Sequence, residues 1–140
     1  MVGEADNDGS PSTILVVEDE ALIRLALRET LEDCGFYVVE AASADDAVKY
    51  LESGGEPDLV FTDVRMPGSM DGFGLADWLG KHRPGLPVFI ASGDVGMANA
   101  ARTLCPHERM FRKPYEYGAI IPLIRKTILE RKKLNSPSLG

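Results

Sequence analysis

Short apolar runs alternate with longer amphipathic segments along most of the chain. The runs hold three to five residues and are almost unbroken in apolar character, which is typical of strands covered on both faces of a sheet. The predicted strands are Ile14–Val17, Tyr37–Glu40, Asp58–Thr62, Val88–Ala91 and Met110–Arg112. Strands that alternate with helices need right-handed crossovers, so the pattern predicts an α/β fold with a doubly wound parallel sheet.

The segments between the runs predict helices. Glu20–Cys34 carries apolar residues at helical spacing, and Gly35 follows it, as a left-handed C-cap prefers. Ser43 predicts the N-cap of a second helix. Pro122 lies inside the last helix, so we expect that helix either to kink there or to begin its regular part there. The other predicted helices are Asp71–His82, Asp94–Leu104 and Tyr115–Leu134.

Polar side chains stand where four of the apolar runs end. Because the carboxyl ends of parallel strands lie along one edge of a sheet, and ligands bind there in doubly wound folds, we expect these side chains to meet. They are Glu18 and Asp19 after the first run, Asp63 after the third, Ser92 after the fourth and Lys113 after the fifth.

Three neighbouring carboxylates repel one another, and proteins tolerate the repulsion chiefly by raising the pKa of one carboxyl group or by binding a divalent cation. A set of oxygen ligands favours a hard ion, and Mg²⁺ suits a small open acidic pocket better than zinc does. We expect Lys113 to supply a positive charge that pairs with Asp63 or with a phosphoryl oxygen. We expect Ser92 to supply a hydroxyl donor. Asp63 can then act as a nucleophile that forms an aspartyl phosphate. Taken alone, each residue also has an ordinary interpretation as a cap, turn or surface side chain.

Composition narrows the possible functions. The length of 140 residues predicts one domain, and the net charge of −7 argues against a nucleic-acid partner. No apolar run is long enough to span a membrane, and Cys34 and Cys105 lack metal or redox spacing, so we expect a cytoplasmic protein. The polar ends, residues 1–12 and 135–140, predict flexible tails around a domain of residues 13–134.

In combination these motifs resemble the receiver domain of two-component response regulators. The resemblance covers roughly Thr13 to Leu134. It rests on Ile14-Leu15-Val16-Val17-Glu18-Asp19-Glu20, Asp63-Val64-Arg65-Met66-Pro67, Met70-Asp71-Gly72, Ala91-Ser92-Gly93 and Lys113-Pro114-Tyr115.

The resemblance implies a flavodoxin-like strand order 2-1-3-4-5, with helices on both faces of the sheet. It implies that Asp63 is the phosphoacceptor, and that Glu18, Asp19, Asp63 and the backbone carbonyl of Arg65 bind Mg²⁺. Ser92 and Lys113 would contact the phosphoryl group, and the bond from Lys113 to Pro114 would be cis. The phosphoryl donor would be a histidine kinase or a histidine phosphotransfer protein.

The chain departs from the family pattern three positions before Lys113. The family often has an aromatic switch residue there, and this chain has Met110. Phe111 is not expected to substitute, because a shift of one residue along a strand points the side chain to the opposite face. We therefore expect the usual coupling of hydroxyl and aromatic residue to be altered. A further hypothesis is that Arg65 and Asp94 meet across the pocket and hinder hydrolysis.

The resemblance favours a stand-alone receiver that acts as a phosphoacceptor rather than an enzyme with an external substrate. A receiver excised from a hybrid histidine kinase is an alternative. A Mg²⁺-dependent phosphohydrolase of the haloacid dehalogenase type fits poorly, because Arg65 stands where that class has a second Asp. A pseudo-receiver typically lacks the acceptor, the acidic pair or the lysine, and this chain has all of them.

Overall fold

The computed structural model describes residues 11–66, 68–92, 108–113 and 116–135. Strands and helices alternate along them, except between the last two strands, where residues 93–107 are not described. The strands are β1 (Thr13–Val17), β2 (Tyr37–Ala41), β3 (Leu59–Asp63), β4 (Val88–Ser92) and β5 (Glu108–Arg112). The helices are α1 (Ala21–Asp33), α2 (Ala44–Glu52), α3 (Gly72–His82) and α4 (Tyr117–Asn135).

The five strands form one parallel sheet in the order β2-β1-β3-β4-β5. This order confirms the predicted doubly wound fold. The third strand is one residue later than predicted, because Asp63 still pairs with Ala91 of β4. Asp58 lies before the strand, where its backbone N–H donates to the Thr13 carbonyl at 2.8 Å.

Both faces of the sheet are buried, as the unbroken apolar runs predict. On one face, Leu15 and Val17 of β1 pack in a cluster with α2 and α3. On the other face, Ile14 and Val16 pack in a cluster with α1 and α4. Alternate residues of one strand thus serve two cores, which fixes the register of the sheet.

Polar side chains cap the second and third helices. Ser43 Oγ accepts a hydrogen bond from the Asp46 backbone N–H at 3.1 Å, which confirms the predicted cap of α2. Asp71 Oδ1 accepts from the Gly74 N–H at 2.8 Å and caps α3. Gly35, after α1, has a φ of 95°, the left-handed conformation expected of a C-cap glycine.

The last helix begins five residues before Pro122, at Tyr117. Its first turn is already hydrogen-bonded, since the N–H groups of Ala119 and Ile120 donate to the Glu116 carbonyl at 3.0 and 3.1 Å. Of the two alternatives, the one in which the regular part begins at Pro122 is therefore wrong. Pro122 is exposed and costs about 3 kcal/mol, whereas the buried face of α4 contributes more. That face consists of Ile120, Ile124 and Ile128.

Several predictions concern residues outside the described part: the helix Asp94–Leu104, the residue Asp94, the cis bond to Pro114, Cys105, and most of both tails. Ser12, predicted to lie in the N-terminal tail, is buried. Its carbonyl accepts from the Tyr37 N–H at 2.8 Å and its hydroxyl from Lys132 Nζ at 3.3 Å.

Among the described helices, none combines the length and apolar character that a membrane crossing requires.

Candidate functional site

Three carboxylates meet at the carboxyl edge of the sheet. β1 and β3 are parallel neighbours, with Val17 opposite Thr62. Glu18, Asp19 and Asp63 therefore leave the sheet side by side. One oxygen from each of these carboxylates lies within 4.8 Å of the other two. The structure confirms that the acidic side chains gather there.

The three carboxylates differ in burial. Glu18 is only 3% exposed, the side chain of Asp63 is 14% exposed, and Asp19 faces solvent. Burial, assisted by the charge of Asp63, raises the pKa of Glu18 above its usual value. A hydrogen bond from the Glu20 N–H to Glu18 Oε2 at 3.1 Å and the charge of Lys113 oppose this rise. Ionisation of buried Glu18 therefore costs free energy, and a cation bound among these oxygens would offset that cost.

Lys113 supplies the positive charge of the cluster. The ladder between β4 and β5 continues one residue further, with the Lys113 N–H donating to the Ser92 carbonyl at 2.8 Å. Lys113 Nζ lies 3.0 Å from Asp63 Oδ1 and 3.7 Å from Glu18 Oε1. Burial lowers the pKa of Lys113, but the hydrogen bond and charge of Asp63, together with nearby glutamates, outweigh this and raise it. The predicted pair of Lys113 with Asp63 is present.

Ser92 is the last residue of β4 and is buried. Its neighbour Ala91 pairs with Asp63 across the sheet, so Ser92 lies at the same edge as the phosphoacceptor candidate. Arg65 follows two residues after Asp63 and is exposed. All the predicted site residues therefore come from one edge of the sheet, while the individual roles of Ser92 and of the Arg65 carbonyl stay predictions.

The loop after Asp63 is held by contacts that the sequence pattern did not predict. Ser69 Oγ donates to Asp45 Oδ1 of α2 at 2.9 Å. Gly68 has a φ of 109°, and a Cβ there would lie 2.8 Å from Asp45 Oδ2. Asp45 is 24 residues from Ser69 in sequence, and acidic residues are common in the first turn of a helix, so no local signal indicates this bond.

Gly72 allows α3 to begin directly against the candidate site. Its N–H donates to the Val64 carbonyl at 2.8 Å, and a Cβ at this position would lie 2.2 Å from the Asp63 carbonyl oxygen and 2.9 Å from Val64 Cα. Both are backbone atoms, so the chain that carries Asp63 would have to move.

We expect Gly72→Ala to lower the free energy of unfolding by about 1–3 kcal/mol because of this overlap. Urea denaturation measures the loss. Gly80→Ala is the matched control, because Gly80 lies in the same helix and a Cβ there meets nothing within 4 Å. Equal stability of the Gly72→Ala variant and the unmodified protein would contradict the close approach.

The atoms that could bind a metal ion at this site are carboxylate oxygens. This set fits a hard divalent cation such as Mg²⁺, which takes a few protein oxygens and keeps several waters. Together, a carboxylate at a strand end, a paired lysine and an acidic cluster provide what phosphoryl transfer needs. The model of the response regulator receiver domain family matches residues 14–124.

This chain belongs to the response regulator receiver domain family. Solved structures of receiver proteins share its fold, with TM-scores of 0.74–0.80. One of them, the response regulator TrrA from Thermotoga maritima in complex with Mg²⁺-BeF, has a TM-score of 0.74 and 26% identity, over 83% of this chain and 98% of that one.

Two curated relatives, a transcriptional regulator and a sensor kinase, are much longer than this chain. The DNA-binding transcriptional regulator NtrC from Bradyrhizobium is 33% identical over 90% of this receiver, which spans 26% of its length. The sensor kinase CckA from Brucella abortus is 39% identical over 66% of the receiver, which spans 10% of its length.

Met110 and Phe111 of this receiver lie on opposite faces of the sheet. Met110 packs against the cluster that includes α2 and α3. Phe111 packs against the opposite cluster, where its ring centroid lies 5.0 Å from that of Phe89. The predicted placement of Phe111 on the face opposite Met110 is confirmed, and the expectation that Phe111 does not replace the aromatic switch residue stays a prediction.

Proposed function

We propose that this receiver is a phosphorylation-dependent switch that accepts a phosphoryl group onto Asp63 from a phosphohistidine donor. The observation that carries the proposal is the environment of Asp63. Its carboxylate lies 3.0 Å from Lys113 Nζ and within 4.8 Å of oxygens of Glu18 and Asp19. An oxygen of Asp63 attacks phosphorus, the bond from phosphorus to the donor imidazole breaks, and the electron pair leaves with the imidazole.

Each residue of the site has a role in this transfer. Glu18, Asp19, Asp63 and the backbone carbonyl of Arg65 would hold Mg²⁺, which supplies charge neutralisation for the phosphoryl oxygens when bound. Lys113 pairs with Asp63 before transfer and with a phosphoryl oxygen afterwards. The Ser92 hydroxyl donates to a second oxygen. The Mg²⁺-BeF complex of the related TrrA supports the proposal that a receiver takes Mg²⁺ and a phosphoryl group together, because beryllofluoride resembles a phosphoryl group.

The chemistry is confined to the protein's own carboxylate, so we class the chain as a phosphoacceptor and not as an enzyme with an external substrate. Arg65 is exposed two residues after Asp63, where a phosphohydrolase of the haloacid dehalogenase type would have its acid-base Asp. A histidine kinase or a histidine phosphotransfer protein is the proposed donor. The similarity to a sensor kinase keeps open the alternative that the receiver belongs to a hybrid kinase.

We expect incubation with acetyl phosphate and Mg²⁺ to add one phosphoryl group to the protein, measured by intact mass spectrometry. EDTA should prevent the addition, as should Asp63→Asn. Asp71→Asn is the matched control and should leave it intact, because asparagine caps α3 as well as aspartate does. The proposal fails if circular dichroism shows folded protein and neither acetyl phosphate nor a panel of phosphohistidine donors modifies it.

A further inference from the structure

Arg24, in the first turn of α1, connects the turn after β1 to the edge strand β2. Its Nη1 donates to the Glu18 carbonyl at 2.7 Å, and its Nε donates to Glu40 Oε1 at 3.0 Å. The bond to the Glu18 carbonyl is partly buried, whereas the bond to Glu40 is exposed. The planar guanidinium makes the two bonds at once, which a lysine ammonium does less well.

Two hydrogen bonds restrain the backbone of Glu18. Its N–H donates to the Ala41 carbonyl at 3.0 Å, and its carbonyl accepts from Arg24. The peptide that links Val17 to Glu18 is therefore bonded to β2, and the peptide that links Glu18 to Asp19 is bonded to Arg24. Asp19 itself faces solvent, so the direction of its carboxylate depends on this peptide.

We propose that Arg24 is a positioning residue of the Mg²⁺ site, with Glu40 as its anchor. This inference rests on the proposed function. Arg24 acts through the Glu18 backbone and touches neither the cation nor the phosphoryl group. Two opposite results separate this role from a purely electrostatic one. Removing a positive charge near an acidic site would tighten cation binding, whereas loosening the turn that presents Glu18 and Asp19 would weaken it.

Arg28 offers a matched control on the same helix. Its Nη1 also pairs with Glu40, at 2.8 Å, and its Nε pairs with Glu32 at 3.2 Å. The contacts of Arg28 lie on the exposed surface, away from the Glu18 backbone. Arg28→Met therefore removes the same charge and the same kind of ion pair without releasing the turn.

The test is a titration of each metal-free protein with Mg²⁺ by isothermal calorimetry, together with the rate of phosphorylation at each Mg²⁺ concentration. We expect Arg24→Met to raise the Kd for Mg²⁺ about ten-fold, the lower range for residues that orient metal ligands. Glu40→Gln should raise it by a smaller factor and Arg28→Met should leave it unchanged. Saturating Mg²⁺ should restore the phosphorylation rate of Arg24→Met.

Unchanged or tighter Mg²⁺ binding by Arg24→Met would overturn the inference and leave the proposed function standing. A wild-type protein that binds no Mg²⁺ would overturn both. If Arg24→Met does not fold, Glu40→Gln carries the test, because it removes the charge that anchors Arg24 and leaves the Arg24 side chain itself unchanged. A Kd for Glu40→Gln equal to that of Arg28→Met would then count against the inference.

Discussion

Lys113→Met is expected to slow phosphorylation of Asp63 about 100-fold at saturating Mg²⁺, the typical effect of removing one donor that stabilises developing charge. The same substitution should make Mg²⁺ bind more tightly. In the wild-type protein Lys113 Nζ lies 3.0 Å from Asp63 Oδ1 and competes with a cation for that carboxylate. Methionine keeps an unbranched side chain that is one atom shorter, and it removes the charge together with its N–H donors.

The pH range of this effect follows from the raised pKa of Lys113. Its ion pair is fully present below the ordinary lysine pKa of 10.5 and is lost only as pH rises through the higher value in the folded protein. Neutral pH lies inside that range, so the comparison is made there by intact mass and calorimetry. Lys81→Met, on the exposed end of α3, is the control. Equal phosphorylation rates for both variants, or weaker Mg²⁺ binding by Lys113→Met, would contradict the assigned role.

Glu18→Gln is expected to stabilise the metal-free protein and to weaken Mg²⁺ binding by about ten-fold or more. The stability effect follows from burial, which raises the pKa of Glu18. A raised pKa means that the stabilising contribution of protonated Glu18 is complete below its ordinary value of 4.5 and is lost as pH rises through the folded value. At neutral pH the ionised carboxylate therefore destabilises the fold, and glutamine removes that cost.

Urea denaturation in EDTA between pH 4 and pH 8 measures this difference. The gap in the free energy of unfolding between Glu18→Gln and wild type should be smallest at pH 4 and largest at neutral pH. Added Mg²⁺ should reverse the order of stability, because the wild type binds the cation more tightly. Glu29→Gln, on the exposed surface of α1, should show neither trend. A metal-free Glu18→Gln variant less stable than wild type at pH 7 would contradict the proposed cost of ionising buried Glu18.

The sequence could predict the sheet and the position of the acidic cluster because both depend on regular geometry. Apolar runs covered on two faces indicate parallel strands, and parallel strands bring their last residues to one edge, so Glu18 and Asp63 had to meet. The period of two along a strand likewise placed Met110 and Phe111 on opposite faces. These inferences need only the local pattern and the strand order.

Contacts between polar residues far apart in sequence could not be predicted in this way. Asp45 with Ser69 and Arg24 with Glu40 pair across different elements, and their residue types are common on any protein surface. Pro122 shows a different limit. Its local cost indicated either a kink or a helix boundary. The burial of three isoleucines on α4 outweighs that cost, and burial is a property of the whole fold.

The most direct test of the account is to locate the phosphoryl group. Borohydride reduction of the acetyl phosphate-treated protein converts an aspartyl phosphate to homoserine, and tandem mass spectrometry of the peptides then identifies the position. We expect homoserine at Asp63 and at no other residue, with loss of the signal in EDTA. Homoserine at Asp19 or Asp71, with Asp63 unmodified, would contradict the assignment of Asp63 as the phosphoacceptor.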